Sequence, residues 1–213
     1  MKKLLIWGAS GHARVVADII RLRGEFEIVG FLDDINHERH QTQFCDAPVL
    51  GGQEQLANAR QLGVEYLILA FGNCAMRLKL SGWVKDQGFS LATAIHPTAV
   101  LASDVAIAPG TVIAAGAVVN PMASIGENVI VNTLSSIDHD CQIGDAVHVC
   151  PGVHLGGGVI IRRAAWIGIG TTVKDKVRIG EGAVIGAGSV VVDDIPAFFM
   201  AYGVPARPVR KVV

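Results

Sequence analysis

The chain has 213 residues, of which 51% are apolar, 17% charged and 6% aromatic, with 25 glycines and a formal net charge of −1. Low charge with plentiful aliphatics excludes a disordered chain, glycine well short of one residue in three excludes collagen, and near-neutrality gives nucleic acid nothing to bind. Many glycines with few rings imply a core of small and β-branched side chains.

At the N-terminus, Lys2 and Lys3 precede only Leu4 to Trp7 before Gly8, too short for a signal-peptide core. Lys3 to Trp7 reads as a strand that runs into Gly8-Ala9-Ser10-Gly11-His12, followed by an amphipathic helix from Ala13 to Leu22. A second strand, Glu27 to Leu32, ends in Asp33-Asp34. A polar loop and Gly51-Gly52 then lead to a helical stretch from Gln53 to Leu62. A third strand, Tyr66 to Phe71, ends at Gly72-Asn73 and a helix from Ala75 to Gln87 follows, with Phe89 to Ala94 as a connector. This order predicts a small parallel sheet flanked by helices, a Rossmann-like α/β domain over residues 1–90. Ligands of such sheets sit at the carboxyl ends of the strands, where all three punctuated loops fall. Gly-x-x-Gly is an incomplete dinucleotide fingerprint, but Asp33, 25 residues after Gly8, stands near the position of a ribose-binding acid. The loop reads either as a tight strand-to-helix turn or as a phosphate seat at a helix N-terminus, with His12 close by.

From Ile95 to Pro196 the chain divides into seventeen blocks of six without an insertion, beginning IHPTAV, LASDVA, IAPGTV. The first residue of every block is Ile, Val or Leu, and the fifth is almost always small or β-branched. A period of six fits neither a helix nor an alternating strand; it marks a hexapeptide parallel β-helix with three blocks per coil, between five and six coils in all. Position one should fill the lumen, and glycine should serve the corners. The 22 uncharged residues from Val105 to Gly126, long enough to cross a bilayer, contain Pro109, Pro121 and three glycines and belong to the repeat. The second domain is expected over residues 91–213.

His139, His148 and His154 fall within sixteen residues, and His139 is flanked by Asp138 and Asp140. Gaps of nine and six match no metal-ligand spacing, so no metal is expected. An imidazole beside a carboxylate suits general-base catalysis. Cys45, Cys74, Cys141 and Cys150 form no C-x-x-C pair and read as reduced thiols of a cytoplasmic protein. Cys141, at position five, should point inward.

The Gly-Ala-Ser-Gly-His loop, Phe31-Leu32-Asp33-Asp34, the hexapeptide coils, the run Asn132 to Asp140 and the tail Gly203-Val204-Pro205-Ala206-Arg207 occur together. Their combination resembles the sialic acid O-acetyltransferase-like family of left-handed β-helix acyltransferases, and within it the bacterial nucleotide-amino-sugar N-acetyltransferases. The resemblance implies acetyl-CoA as co-substrate, a nucleotide-activated amino sugar as acceptor and a homotrimer with each site at a subunit boundary. It implies His139 as catalytic base, Asp140 (Glu in most relatives) as its carboxylate partner, His148 near the thioester carbonyl and Asn132 beside the sugar. Gly157, Ile169, Gly186 and Ala187 match the pantetheine groove. Gly8, Ser10, Gly11, His12, Asp33, Asp34, Gly72, Asn73 and Arg77 match the nucleotide-sugar pocket. N-acetylation of a 4-amino sugar is the leading expectation, and O-acetylation of sialic acid or CMP-sialic acid is the alternative. A nicotinamide dehydrogenase is disfavoured by the incomplete fingerprint, and a non-catalytic solenoid would have no need of His139.

Overall fold

The computed structural model describes residues 1–212. The first sheet contains β1 (Lys2–Trp7), β2 (Phe26–Leu32), β3 (Gln43–Phe44), β4 (Ala47–Gly51), β5 (Tyr66–Leu69) and β6 (Ser90–Leu91), in the order β3-β4-β2-β1-β5-β6. All neighbours are parallel except β3 and β4. The sequence-predicted parallel sheet is therefore present, with two corrections. The segment taken as a polar loop holds β3 and β4, and the connector after Phe89 contributes β6. Both were masked by brevity: Ala47 to Gly51 alternates buried and half-buried, but over five residues that include Pro48.

Three helices flank the sheet: α1 (Gly11–Arg23), α2 (Leu56–Gln61) and α3 (Cys74–Asp86). The α1 helix stops at Gly24, whose φ of 66° turns its N–H back onto the Ile20 carbonyl, with Arg21 and Arg23 favourably placed in the last turn. Its buried stripe of Ala13, Val16, Ala17 and Ile20 packs with Ala94, Val112 and Ala114 of the second domain in one core. On the other face of the sheet, Leu5, Trp7 and Leu32 pack with Leu56, Ala59 and Val84. At the start of α3 the Asn73 side chain accepts the Met76 N–H at 3.0 Å, which sets Arg77 facing the second domain.

The second domain is a parallel β-helix. Its seventeen two-residue strands, from Ala94–Ile95 to Val190–Val191, form three parallel faces. Partners lie eighteen residues apart: Val112 pairs with both Ala94 and Ile130, and Val118 with both Val100 and Ser136. Each strand joins the last residue of one hexad to the first of the next. First and fifth residues line a dry lumen, among them Ile113, Val131, Ile137, Val149, Ala117, Val129 and Cys141. The corners turn at position four through left-handed backbone. Gly110, Gly116, Gly152, Gly158, Gly170, Gly182 and Gly188 adopt it, but so do Met122, Asn128, Leu134, Asp140, Ala146, Ala164 and Lys176, with φ of 52–62°. Half of these corners thus do without glycine, each at a cost of about 1 kcal/mol that the stacked ladder absorbs. A hairpin, Phe199–Gly203 and Ala206–Lys211, extends the face that carries Val184. No helix among the described residues is long and apolar enough to cross a membrane.

Candidate active site

The candidate residues fall into three places. The first is a cleft of about 310 Å³ at the carboxyl ends of β1, β2 and β5, lined by Gly8, Ser10, Asp33, Asp34 and Asn73 of the sequence-predicted set. Gly8 has a φ of 123°, and a Cβ there would stand 2.8 Å from the Ala70 carbonyl, so only glycine lets the loop pass so close. Asp33 Oδ1 accepts the N–H groups of Ile35 and Asn36, both at 3.0 Å, which fixes the turn after β2. Asp34 accepts from Trp7 Nε1 and from the Gln53 N–H, tying this turn to the next loop. Sequence reasoning missed Trp7, Ile35, Asn36, Arg39, Phe71 and Met76 in the same lining. Arg39, the one cation of that lining, lies outside every motif, which left no sequence signal for it.

The second place is a buried polar cluster where α3 meets the β-helix. Arg77 is 1% exposed. Its guanidinium donates to the carbonyls of Phe71 and Gly72 (both 2.8 Å), Asn128 (3.1 Å), Ala146 (2.8 Å) and Val147 (3.3 Å). With its donors committed to both domains, Arg77 lies behind the cleft as a clamp, not in its lining as expected from the sequence. His148 is 6% exposed and packs against Trp166 with ring centres 4.4 Å apart and planes tilted by 58°, with His12 at 6.2 Å. Burial, reinforced by the Arg77 cation, pushes His12 down to about 4 and His148 down to about 3, so both imidazoles are neutral at ordinary pH. Asn132 Nδ2 lies 3.3 Å from His148 Nε2, while His12 Nε2 is buried without a hydrogen-bond partner among the described residues. Gly72 borders this cluster, where a Cβ would stand 3.3 Å from the Trp166 ring and 3.8 Å from His148 Nδ1, and Gly11 starts α1 on the open side.

The third place is the β-helix corner that carries His139. His139 Nδ1 lies 2.7 Å from Asp140 Oδ2, and this bond, helped by the Asp138 carboxylate, raises the imidazole above its ordinary value. Gly157 is one coil further on, and a Cβ there would stand 2.6 Å from His139 Nε2, so the ring rests on bare backbone. The open groove around it, about 660 Å³, is also bordered by His154, Lys174 and Lys176.

The structure separates what the sequence grouped. His139 and His148 are nine residues apart, half a coil, and so occupy different sides of the prism; His154, fifteen residues on, has nearly completed the coil and returns to the His139 groove. The pantetheine candidates divide similarly: Gly157 stands with His139, whereas Ile169 and Ala187, eighteen apart, stack on another corner beside Gly186, with Ile169 59% exposed.

An α/β domain docked on a hexapeptide β-helix, with a histidine–carboxylate pair at a coil corner, defines a hexapeptide-repeat acyltransferase. The PglD N-terminal domain family matches residues 3–84, and the bacterial transferase hexapeptide family (six repeats) matches residues 158–193. Among solved structures, the chain is similar to PerB of Caulobacter crescentus in complex with CoA and GDP-perosamine, with 36% identity, a TM-score of 0.93 and 99% of this chain and 98% of that one covered. It is likewise similar to the acetyltransferase domain of PglB from Neisseria gonorrhoeae in complex with acetyl coenzyme A, with 35% identity, a TM-score of 0.91 and 98% and 99% covered. The galactoside O-acetyltransferase of Lactococcus lactis is 49% identical over 47 residues, 22% of this chain and 23% of that protein, so the match spans under a quarter of the curated relative. The chain belongs to the hexapeptide-repeat sugar acetyltransferases that carry a PglD-type N-terminal domain.

Proposed function

We propose that the chain transfers the acetyl group of acetyl-CoA to the 4-amino group of a nucleotide-linked amino-deoxy sugar, with His139 as general base. The observation that carries this reading is the His139–Asp140 pair. A carboxylate on Nδ1 selects the tautomer whose Nε2 lone pair faces the groove, ready to accept a proton. The amine nitrogen bonds to the acyl carbon, the carbon–sulfur bond breaks, and the amine proton passes through Nε2 to the departing thiolate. The products are an amide and a thiol, and no acyl-enzyme is needed. The residues fit the co-substrate: the groove around His139 is open, and Lys174 and Lys176 bring positive charge to it.

The 310 Å³ cleft suits the nucleotide. Backbone N–H groups at the start of α1 face a phosphate, and Asp33 Oδ2 is available to a ribose hydroxyl. That cleft and the His139 groove share no lining residue. We assign their meeting to a homotrimer in which the His139 corner of one copy comes to the cleft of the next. Exposed Leu134 and Ile169 on the neighbouring corner supply apolar surface for such a closed ring. Four free cysteines and this co-substrate suit the cytoplasm.

The test offers acetyl-CoA with UDP-, GDP- and dTDP-linked 4-amino sugars and, separately, with sialic acid and CMP-sialic acid, and measures released thiol. Turnover on an amino sugar that is lost in His139→Ala is expected. Turnover confined to sialic acids would replace this reading with O-acetylation.

A further inference from the structure

Asp140 holds the ring of His139, but the backbone that aims the ring is held by other groups. Asn120 and Asp138 stand eighteen residues apart on successive coils, each just past its strand, and the Asn120 N–H donates to the Ile137 carbonyl at 2.9 Å. Asn120 Nδ2 donates to Asp138 Oδ1 at 3.0 Å, and the same oxygen accepts the backbone N–H of His139 at 2.8 Å. One carboxylate oxygen therefore joins the coil below to the peptide that carries the imidazole. His139 itself is well exposed, with 61% of its side chain open to solvent, so neighbouring side chains do not wedge it in place.

We propose that Asn120 and Asp138 are positioning residues for His139: Asn120 orients the Asp138 carboxylate, which fixes the His139 backbone and places a negative charge beside the imidazole. The inference rests on His139 being the base. The charged and titratable groups around the ring are Asp138 and Asp140 from its own corner and His154, Lys174, Asp175 and Lys176 from the coils that border the groove. Asp140 and then Asp138 favour the protonated ring, and the His139 N–H, with Asn120 second, keeps the Asp138 carboxyl below its usual range, so it carries its charge throughout the working pH. The geometry divides the work. Asp140 selects the tautomer and raises the basicity most, whereas Asp138, held by Asn120, sets the direction of the ring and adds to its basicity.

The test pairs Asp138→Asn, which keeps an oxygen acceptor but removes the charge, with Asn120→Ala, which keeps the charge but frees it. Proton NMR titration of His139 in the unliganded protein, assigned with His139→Ala, reads basicity without relying on turnover. Asp138→Asn should lower the His139 titration by about one unit, and Asn120→Ala should lower kcat about tenfold with KM for both substrates unchanged. An unmoved titration in Asp138→Asn, or a loss in Asn120→Ala that appears as a higher KM or only as a lower melting temperature, overturns the proposal. Full turnover in His139→Ala would instead remove the base assignment, and the titration would still report whether Asp138 acts on the ring.

Discussion

The imidazole of His139 lies against the backbone of Gly157, eighteen residues later in the chain and one coil away, at a distance that leaves no room for a methyl group. Gly157 does not have the left-handed backbone of the neighbouring Gly158, so alanine is conformationally acceptable there. The conflict lies with the ring alone, which is exposed and free to swing outward. Gly157→Ala should therefore melt within a few degrees of the wild type yet lose about tenfold or more in kcat, because the base is displaced. Equal activity in the two proteins, measured by thiol release, would show that the ring is not used in this pose.

Asp140 makes the largest contribution to the raised pKa of His139. A general base works when deprotonated, so kcat/KM should rise with pH through a value above the ordinary 6.5 of histidine and then level off. Asp140→Asn should move that midpoint down and lower the plateau, because the amide neither stabilises the imidazolium nor selects the tautomer. A pH–rate profile of both proteins checks the direction. A midpoint that rises on losing the carboxylate contradicts the assignment.

Arg39 brings the only guanidinium to a cleft that also holds two carboxylates, and it lies 5.8 Å from the centre of the Phe44 ring. A nucleotide diphosphate needs a cation to offset Asp33 and Asp34. Arg39→Ala should weaken nucleotide binding about tenfold, measured by calorimetry with UDP, GDP and dTDP, and Arg39→Lys should recover only part of it because the ammonium lacks the planar fork. Unchanged affinity in the alanine variant would place the nucleotide elsewhere.

How much of this was legible beforehand depends on what kind of signal each part leaves. The β-helix was readable because each coil must place an aliphatic residue inward at a fixed interval, so Ile95 through Val191 announce the lumen. The Gly8 loop, Asp33 and Asn73 were readable because turns and caps demand particular residues. Arg77 was misplaced because sequence gives its charge and not its surroundings; inside the molecule its donors meet carbonyls from two domains. The separation of His139 from His148 within one chain was not legible from their closeness in sequence, since a coil of eighteen residues sends positions nine apart to different sides. Ser90–Leu91 and Gln43–Phe44 are too short to carry any periodic pattern.

Arg77 joins the domains through carbonyl oxygens alone, so its loss would strand several buried acceptors at once. Arg77→Met should cost about 3 kcal/mol or more of unfolding free energy. Arg77→Lys should recover little, because one ammonium cannot reach both sets of carbonyls. Denaturant unfolding measures this, and a loss under about 1 kcal/mol in the methionine variant would mean that apolar packing, not the clamp, holds the domains together.

The neutral His12 and His148 give the fold an acid-sensitive seam. Burial is the main reason that each is pushed down, to about 4 for His12 and about 3 for His148, and Arg77 opposes a second positive charge beside it. In the unfolded chain both return to about 6.5 and take up protons as the pH falls below that value. The unfolded state then binds more protons than the folded one, so stability must decrease with acidification. The loss begins near pH 6.5, proceeds at up to about 1.4 kcal/mol per pH unit for each histidine, and ends for each only below its folded value. Above about pH 8 the two contribute almost no slope. His148→Gln, which cannot be protonated, should flatten the stability profile between pH 6 and pH 4, whatever it does to the value at pH 7. Urea unfolding of both proteins across that range decides the matter: parallel profiles would mean that His148 takes up its proton in the folded state, and that the seam beside Arg77 is open to water.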